Sequence, residues 1–332
     1  MLGGVPLSAW ANVLSLDAVF VAAAWQQLLM RVFCNRSARW PESIALSLTV
    51  WLIYVADRLL DAAKLDVEQP HTLRHRFYRR YGRIFVWLWI LGLLLNTLVV
   101  VRYLPTDLLH NGLLLASAVL VYGASVHFSS KRARDASALG VSVSGSSQHS
   151  KTCIPKEVRV GVLFALGVSL ATWTQLSSDL QYPFGATGII DQPIWPLVAT
   201  TCVLAVLFSW NCILVARFDR EYDRAQAFPS IATRPGWGSF GSGQRCGQLC
   251  KPMFLVALAP LVLLFARLPL PIEIAVFASA LGLMVSLALP ANDFPQLSNA
   301  TLPRIAPTMF DVRGAWVDAV LWTPPLLLLC WL

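Results

Sequence analysis

Charged residues are scarce in this chain. Only 13% of its 332 residues are Asp, Glu, Lys or Arg, whereas 56% are hydrophobic, and the mean hydropathy is +0.60. A water-soluble domain covers its apolar core with a largely polar surface, and this composition has too few polar groups to do so. It therefore excludes an ordinary soluble domain and indicates an integral membrane protein.

Other familiar signals are also missing. The seven cysteines include no Cys-x-x-Cys pair and no matching histidine cluster, so we expect free thiols. The first hydrophobic stretch lacks the basic region and cleavage site of a signal peptide, and we expect it to stay in the protein. The net charge is +8, but no soluble basic domain carries it, so no nucleic-acid partner is expected. No protein partner can be inferred.

Apolar runs long enough to cross a bilayer fill most of the chain. About 20 mostly apolar residues are needed to cross about 30 Å of hydrocarbon. The runs predict helices at 9–30, 41–60, 84–101, 108–128, 158–176, 195–217, 253–268, 272–289 and 315–332. The predicted fold is an all-α, polytopic membrane bundle of about nine transmembrane helices, forming one domain over residues 1–332 in the lipid bilayer. Eight spans remain an alternative, because the seventh and eighth helices are short.

Basic residues are concentrated in alternate loops of this predicted bundle. The odd-numbered loops hold only Arg31, Arg36, Arg39, Arg102 and Arg267. The even-numbered loops hold Lys64, Arg74, Arg76, Arg79, Arg80, Arg83, Lys131, Arg132, Arg134, Lys151, Lys156, Arg159, Arg217, Arg220, Arg224, Arg234, Arg245, Lys251, Arg304 and Arg313. Because positive loops stay inside, we expect the even loops to lie in the cytoplasm, in a bacterial inner (plasma) membrane.

Two acidic motifs end the predicted second and sixth helices. Each reads Asp-Arg-x-x-Asp and contains one pair of aspartates, Asp57 with Asp61 and Asp219 with Asp223. Residues four apart lie on one face of a helix, so each pair should project together. The motifs end helices that run in the same direction, as a parallel duplication would leave them. The two motifs therefore favour a bundle made of two four-helix halves and one added helix.

Paired carboxylates at a membrane surface need a partner. Like charges four residues apart repel, and ionisable groups near the membrane are costly. Magnesium prefers oxygen ligands and is commonly held by one or two carboxylates together with substrate phosphates. The neighbouring Arg58 and Arg220 could pair with the remaining phosphate oxygens. The alternative is that the acids form interfacial ion pairs and the arginines only set topology.

The paired motifs make the chain resemble the UbiA-type superfamily of intramembrane prenyltransferases. Members of that family carry two aspartate-rich motifs at the cytoplasmic ends of the second and sixth of nine helices. The resemblance implies that Asp57, Asp61, Asp219 and Asp223 are catalytic and hold Mg²⁺ on a prenyl diphosphate. It implies an enzyme that transfers an isoprenoid group from that diphosphate to an unidentified, hydrophobic acceptor.

Two parts of the family pattern differ here. The family has an Asn-Asp pair four and three residues before the first acid of each motif, where this chain has Ile53-Tyr54 and Val215-Ala216. The family's Tyr-x-x-x-Lys segment after the fourth helix is matched in part, with His127 four residues before Lys131. The resemblance implies that Lys131 and the adjacent Arg132 contact diphosphate.

Further acids lie at the two ends of the chain. Asp17 falls inside the first predicted helix, where an intramembrane acid is functional or paired. We expect Asp17 either to recognise the acceptor or to form a hydrogen bond between helices. Asp318 and Arg313 are expected to form a local ion pair near the start of the last helix.

Other classes of function remain open. A secondary transporter with parallel repeats would also carry intramembrane acids, but no predicted helix has a central break, and unwinding near Asp17 would favour that class. A CDP-alcohol phosphotransferase also uses membrane-face aspartates, but its extended motif is not seen. A non-catalytic protein that binds isoprenoid diphosphate, or a membrane scaffold, completes the alternatives.

Overall fold

The described part of the chain is built from α-helices. The computed structural model describes residues 7–65, 72–138, 154–181, 194–226, 230–233, 268–288 and 308–332. Within these ranges the helices are α1 Leu7–Val13, α2 Asp17–Cys34, α3 Trp40–Lys64, α4 Leu73–Tyr103, α5 Thr106–Ala138, α6 Lys156–Gln181, α7 Ile194–Phe218, α8 Arg220–Ala225, α9 Leu270–Ala288 and α10 Thr308–Leu329. A 3-10 turn, Ile231–Thr233, follows α8. The predicted helix at 253–268 lies almost wholly outside the described residues.

Six of the described helices are long and apolar enough to cross a membrane. They are α3, α4, α5, α6, α7 and α9. The outer helices expose large apolar side chains, such as Trp87 on α4 at 72% and Leu120 on α5 at 73%. Such surfaces suit lipid rather than water. The prediction of an all-helical, multi-pass membrane protein is confirmed, whereas the count of nine spans stays a prediction.

The first predicted helix is in fact two helices. The α1 helix ends at Val13 and α2 begins at Asp17, so the continuous helix predicted at 9–30 is wrong at residues 14–16. Ser15 adopts the left-handed region at φ 58°, which a non-glycine residue rarely does. The Asp17 carboxylate then accepts the Ala18 N–H at 2.9 Å, and an acid is favourable in the first turn of a helix.

The α2 helix lies at the centre of the core. Its Trp25, Leu28 and Leu29 are completely buried, and the indole N–H of Trp25 donates to the carbonyl of Leu321 on α10 at 2.9 Å. The broadest packing is between α6 and α7 and between α3 and α4, while α10 packs mainly on α2 and α9. The two ends of the chain therefore meet in the middle of the bundle.

The α4 helix begins eleven residues before the predicted start at 84. Thr72 caps it by accepting the N–H of His75, which satisfies one of the free donors of the first turn. The added turns are basic and carry Arg74, Arg76, Arg79, Arg80 and Arg83. This extension, which lies beyond the apolar run that marks the span, places Arg74 against the end of α7.

Candidate functional site

The first acidic pair lies in the last two turns of α3. Asp57 and Asp61 both have helical backbone within Trp40–Lys64, so their four-residue spacing places them on one face. The Asp57 side chain is 52% exposed, and the Arg58 guanidinium approaches it at 4.0 Å. Asp61 is half-buried. The pair thus offers one accessible and one partly shielded carboxylate.

The second pair spans the junction between α7 and α8. Asp219 stands between the two helices, yet its N–H donates to the carbonyl of Val215 at 2.9 Å. Its own carbonyl accepts the N–H of Asp223, also at 2.9 Å. Because this is the hydrogen-bond pattern of an α-helix, the helical repeat continues through the junction. Asp219 and Asp223 therefore share a face, as the sequence predicts.

Two basic residues bring the acidic pairs to the same end of the bundle. Arg74 lies in the first turn of α4, the helix that follows the first acidic pair in the sequence. It forms an ion pair with Asp219 of the second pair. Lys156, the first residue of α6, interacts electrostatically with both Asp61 and Asp223. We call this region, comprising the two pairs with Arg74 and Lys156, the acid-rich end. Four segments of the chain converge there.

Burial changes the chemistry of Asp223. Burial, followed by the nearby charge of Asp219, raises the pKa of Asp223 from its ordinary value of 3.8 to about 7, against the opposing influence of Lys156 and Arg74. Desolvation and a like charge both disfavour the ionised carboxylate. A cation bound to this pair would take the place of the proton and relieve the repulsion.

Two arginine side chains at the acid-rich end have buried hydrogen-bond donors without acceptors. The Nε atoms of Arg58 and Arg159 are buried and have no hydrogen-bond partner within the described part of the chain. The Arg159 guanidinium also stacks over the ring of Tyr122 at 5.3 Å, which fixes its plane. A buried N–H without an acceptor costs about 1 to 3 kcal/mol. Donors of this kind beside a lysine suit an anion with several oxygen atoms, such as a phosphate.

The aspartate pairs could bind magnesium together with a phosphate, but not as a complete metal site made of protein side chains alone. Among the described side chains, no three His, Cys, Asp or Glu residues gather closely enough to hold a metal ion by themselves. Magnesium does not require such a cage, because it is commonly held by one or two carboxylates while phosphate and water complete its shell. Either aspartate pair satisfies that smaller demand.

The structure locates only some of the other side chains predicted to bind diphosphate. Arg220 is half-buried in the first turn of α8, between Asp219 and Asp223. Lys131 and Arg132 belong to the helical backbone of α5, but their side chains lie outside the described residues. Their contact with diphosphate stays a prediction.

Sequence reasoning missed Glu157. This carboxylate is only 4% exposed, and its Oε1 accepts the N–H of Ile231 at 2.9 Å. The bond ties the 3-10 turn after α8 to the start of α6, beside Lys156. The only signal in the sequence is the position of Lys156 and Glu157 directly after Pro155, where a helix commonly begins.

Asp17 belongs to a second polar group inside the bundle. Its Oδ2 accepts a hydrogen bond from the side-chain amide of Asn12 at 2.6 Å, and its carboxyl group interacts electrostatically with Asp318. Asp318, which we expected beside Arg313, accepts the amide of Asn211 at 2.9 Å; the Arg313 side chain lies outside the described residues. Hydrogen bonding between helices is thus present at Asp17, and acceptor recognition stays a prediction.

No family model, curated protein or solved structure matches this chain. The chemistry of the acid-rich end and of the Asp17 group therefore has to carry the functional conclusion.

Proposed function

We propose that this protein is a membrane prenyltransferase of the UbiA type, which transfers an isoprenoid group from a magnesium-bound prenyl diphosphate to a hydrophobic acceptor. The observation that carries the proposal is the meeting of two aspartate pairs at one end of an apolar bundle. Both pairs interact with the same cation, Lys156. Such a group of carboxylates and cations suits a metal-complexed anion with an apolar tail.

Each part of the acid-rich end has a role in this proposal. Asp57 with Asp61, and Asp219 with Asp223, hold magnesium, which when bound neutralises charge on the diphosphate leaving group. The buried Nε donors of Arg58 and Arg159 bind diphosphate oxygens directly, because charge-assisted hydrogen bonds to phosphate are strong. Lys156, which interacts with one member of each pair, orients the anion. Lys131, Arg132 and Arg220 add further positive charge.

The apolar interior supplies the second requirement. Cleavage of an allylic diphosphate leaves an allylic cation, which water would capture. Helices such as α7, more than half of whose residues are buried, form a dry core next to the acid-rich end. Excluding water from this core protects the cation until the acceptor attacks. Asp17, deeper in the bundle, is proposed to bind a polar group of the acceptor.

A stability titration tests the diphosphate site. Purified protein in detergent is unfolded thermally with geranylgeranyl diphosphate, with and without magnesium. A ligand that binds only the folded state raises the free energy of unfolding by mass action, by about 2.7 kcal/mol at 100 times its Kd, and thereby raises the unfolding temperature. We expect stabilisation that requires magnesium and disappears in the Asp61→Asn, Asp223→Asn double variant. These two positions leave the ion pair of Arg74 with Asp219 intact.

The control variant is Asp107→Asn. Asp107 is an exposed acid in the first turn of α5, away from both motifs in sequence, so its removal should leave the ligand-induced shift unchanged. Release of diphosphate from the same substrate by membranes that contain the protein then measures turnover. A shift indifferent to magnesium and to both aspartates would reject the prenyltransferase proposal.

A secondary transporter is the second candidate, and one observation favours it. The helix break at residues 14–16 lies immediately before the buried Asp17, and discontinuous helices with acids form ion sites in many transporters. The prenyltransferase proposal ranks higher because the paired motifs lie at helix ends and not at the break. A transporter would show no stabilisation that depends jointly on magnesium, prenyl diphosphate and the motif aspartates.

A further inference from the structure

Four arginine side chains are exposed on the first turns of α4. They are Arg76, Arg79, Arg80 and Arg83. At 3.6 residues per turn, Arg76, Arg80 and Arg83 lie within about 60° of one another around the helix axis, and we call these three the basic face. Arg79 lies beside them and donates from Nη1 to the carbonyl of Leu65 at 2.8 Å. Among the described side chains, none of the four forms an ion pair with a carboxylate.

The same side of α4 becomes apolar immediately beyond the basic face. Trp87 lies one turn after Arg83 and is 72% exposed, and Leu94 and Leu98 are also largely exposed. The helical repeat places these three side chains on the side that carries the basic face. Phe85, on the opposite side, is buried and packs with residues of α3. One exposed stripe of the helix thus changes from basic to apolar along its length.

The apolar part of this stripe is long enough for a lipid chain. One leaflet covers about half of the roughly 30 Å of hydrocarbon in a bilayer. At 1.5 Å per residue, about 15 Å corresponds to about ten residues of helix, which is the distance from Ile84 to Leu94. Tryptophan is favoured where hydrocarbon meets the lipid headgroups, and Trp87 has that position next to Arg83. The arginines of the basic face then lie at the level of the lipid phosphates.

Packing fixes the inner side of the same turns. Tyr78 is only 1% exposed and packs with Val55 and Ala62 of α3. Arg74 forms its ion pair with Asp219 on the same inner side. Because these contacts hold the first turns of α4 in place, the backbone of the basic face is ordered before a ligand binds. Such preorganisation lowers the entropy cost of binding.

We infer that the basic face of α4 binds the phosphate of an anionic phospholipid, and that one acyl chain of this lipid lies along Trp87 and Leu94. Arginine forms strong, charge-assisted hydrogen bonds with phosphate, and basic residues at a membrane surface attract anionic lipids. A soluble phosphate would contact the arginines and leave the apolar stripe unused. A zwitterionic lipid would cover the apolar stripe but carries no net negative charge. An anionic lipid matches both parts.

Binding of this lipid should stabilise the acid-rich end. The basic face and Arg74 belong to the same first turns of α4, and Arg79 ties these turns to Leu65, four residues after Asp61. A lipid held on the outer side therefore favours the conformation in which Arg74 reaches Asp219. Lipid binding of this kind does not depend on the proposed reaction, because neither acidic motif contacts the lipid.

Native mass spectrometry tests the site by counting bound lipids. Purified protein in a neutral detergent is titrated with dioleoyl phosphatidylglycerol and, separately, with dioleoyl phosphatidylcholine. We expect the anionic lipid to bind more tightly. We also expect its affinity to fall by about fivefold for each arginine removed, or about 25-fold in the Arg80→Gln, Arg83→Gln double variant. Inorganic phosphate at the same concentration as the lipid should not displace it. Displacement would assign the arginines to a soluble anion and overturn the lipid site.

The matched control is the Arg31→Gln, Arg102→Gln double variant. Both arginines are exposed and lie in the last turns of α2 and α4. At that end of the bundle, opposite the acid-rich end, the ring of Trp40 on α3 lies 4.9 Å from that of Tyr103. Each double variant removes two positive charges, so a general attraction of the protein to anionic lipid would change equally in both. Equal weakening in the two variants, or no preference for the anionic lipid, would overturn the inference.

A second measurement needs no variant and so does not depend on how the variants fold. Protein in phosphatidylcholine nanodiscs receives a trace of phosphatidylglycerol with a photoreactive acyl chain, and mass spectrometry of peptides locates the label. We expect more label on residues 84–94 of α4 than on the segment of α5 around Leu120, which is 73% exposed. A phosphatidylcholine probe with the same chain should label the two segments without that enrichment. The same ratio of labelling for both probes would contradict a site selective for anionic lipid.

Discussion

Substitution of Gly161 by alanine should separate α6 from α7. A Cβ atom at Gly161 would lie 2.3 Å from the backbone nitrogen of Ser209 and 2.5 Å from its Cα. Backbone atoms cannot rotate away, so the helices must move apart by about 1 Å to reach ordinary contact distance. Inserting a methyl group into a packed site costs about 1 to 3 kcal/mol, while replacing glycine in a helix returns about 1 kcal/mol.

The expected result is a net loss of up to about 2 kcal/mol in the free energy of unfolding. It is measured by denaturant titration in mixed micelles. Gly167→Ala, in the same helix, is the matched control, because its Cβ would meet only flexible leucine side chains at 3.8 and 4.0 Å. That variant gains helix propensity without a clash and should be stabilised by up to about 1 kcal/mol. Equal stability of the two variants would refute the close approach of the helices.

Three further predictions follow from named contacts. Arg74→Gln should destabilise the protein by about 3 kcal/mol, because it removes the ion-pair partner of Asp219, whose side chain is only 16% exposed. Adding Asp219→Asn to this variant should restore at least about 1 kcal/mol, as measured by a double-mutant cycle in denaturant. The pKa of Asp223 is about 7, and metal ligands must be deprotonated. Isothermal titration calorimetry should therefore show magnesium affinity about tenfold weaker at pH 6 than at pH 8. A magnesium affinity that does not change with pH would count against Asp223 as a ligand. Arg36→Gln should cost about 3 kcal/mol in the same unfolding assay, because Glu42, only 4% exposed, accepts two hydrogen bonds from Arg36 at 3.0 and 3.1 Å.

The helices were predictable where apolar runs alone determine them. The predicted span at 195–217 agrees closely with α7, Ile194–Phe218, because its hydrophobic stretch coincides with the helix. The start of α4 was predicted eleven residues too late, since its first turns are basic and amphipathic and resemble a loop by composition. Hydropathy thus locates the membrane-crossing part of a helix and misses its extension into water.

The break before Asp17 was hidden for a related reason. Leu14 and Leu16 continue the apolar run on either side of Ser15, and no glycine or proline marks the turn. The left-handed conformation of Ser15 depends on tertiary contacts such as the bond from the indole of Trp51 to the carbonyl of Leu14 at 3.2 Å. Local sequence signals do not encode contacts of this kind.

The acidic pairs were predictable because helix geometry is local. A four-residue spacing determines that Asp57 lies beside Asp61 and Asp219 beside Asp223 wherever the helix continues. Arg74 and Lys156, in contrast, reach the motifs from other helices, and nothing in the spacing of the motifs identifies them. The sequence therefore predicts the carboxylates but not the cations that bring the two pairs together.

Tertiary contacts also surround the first position at which the sequence differs from the UbiA-type pattern that it resembles. Tyr54 stands where the family has the aspartate of its Asn-Asp pair, and Tyr54 interacts electrostatically with Arg58, Asp17 and Asp318. Carboxyl groups therefore do lie close to this position, but they come from α2 and α10 instead of α3. Asn211 binds Asp318 one turn before the second departure, at Val215-Ala216. Tyr54 therefore adjoins both the Asp17 group and, through Arg58, the first acidic pair.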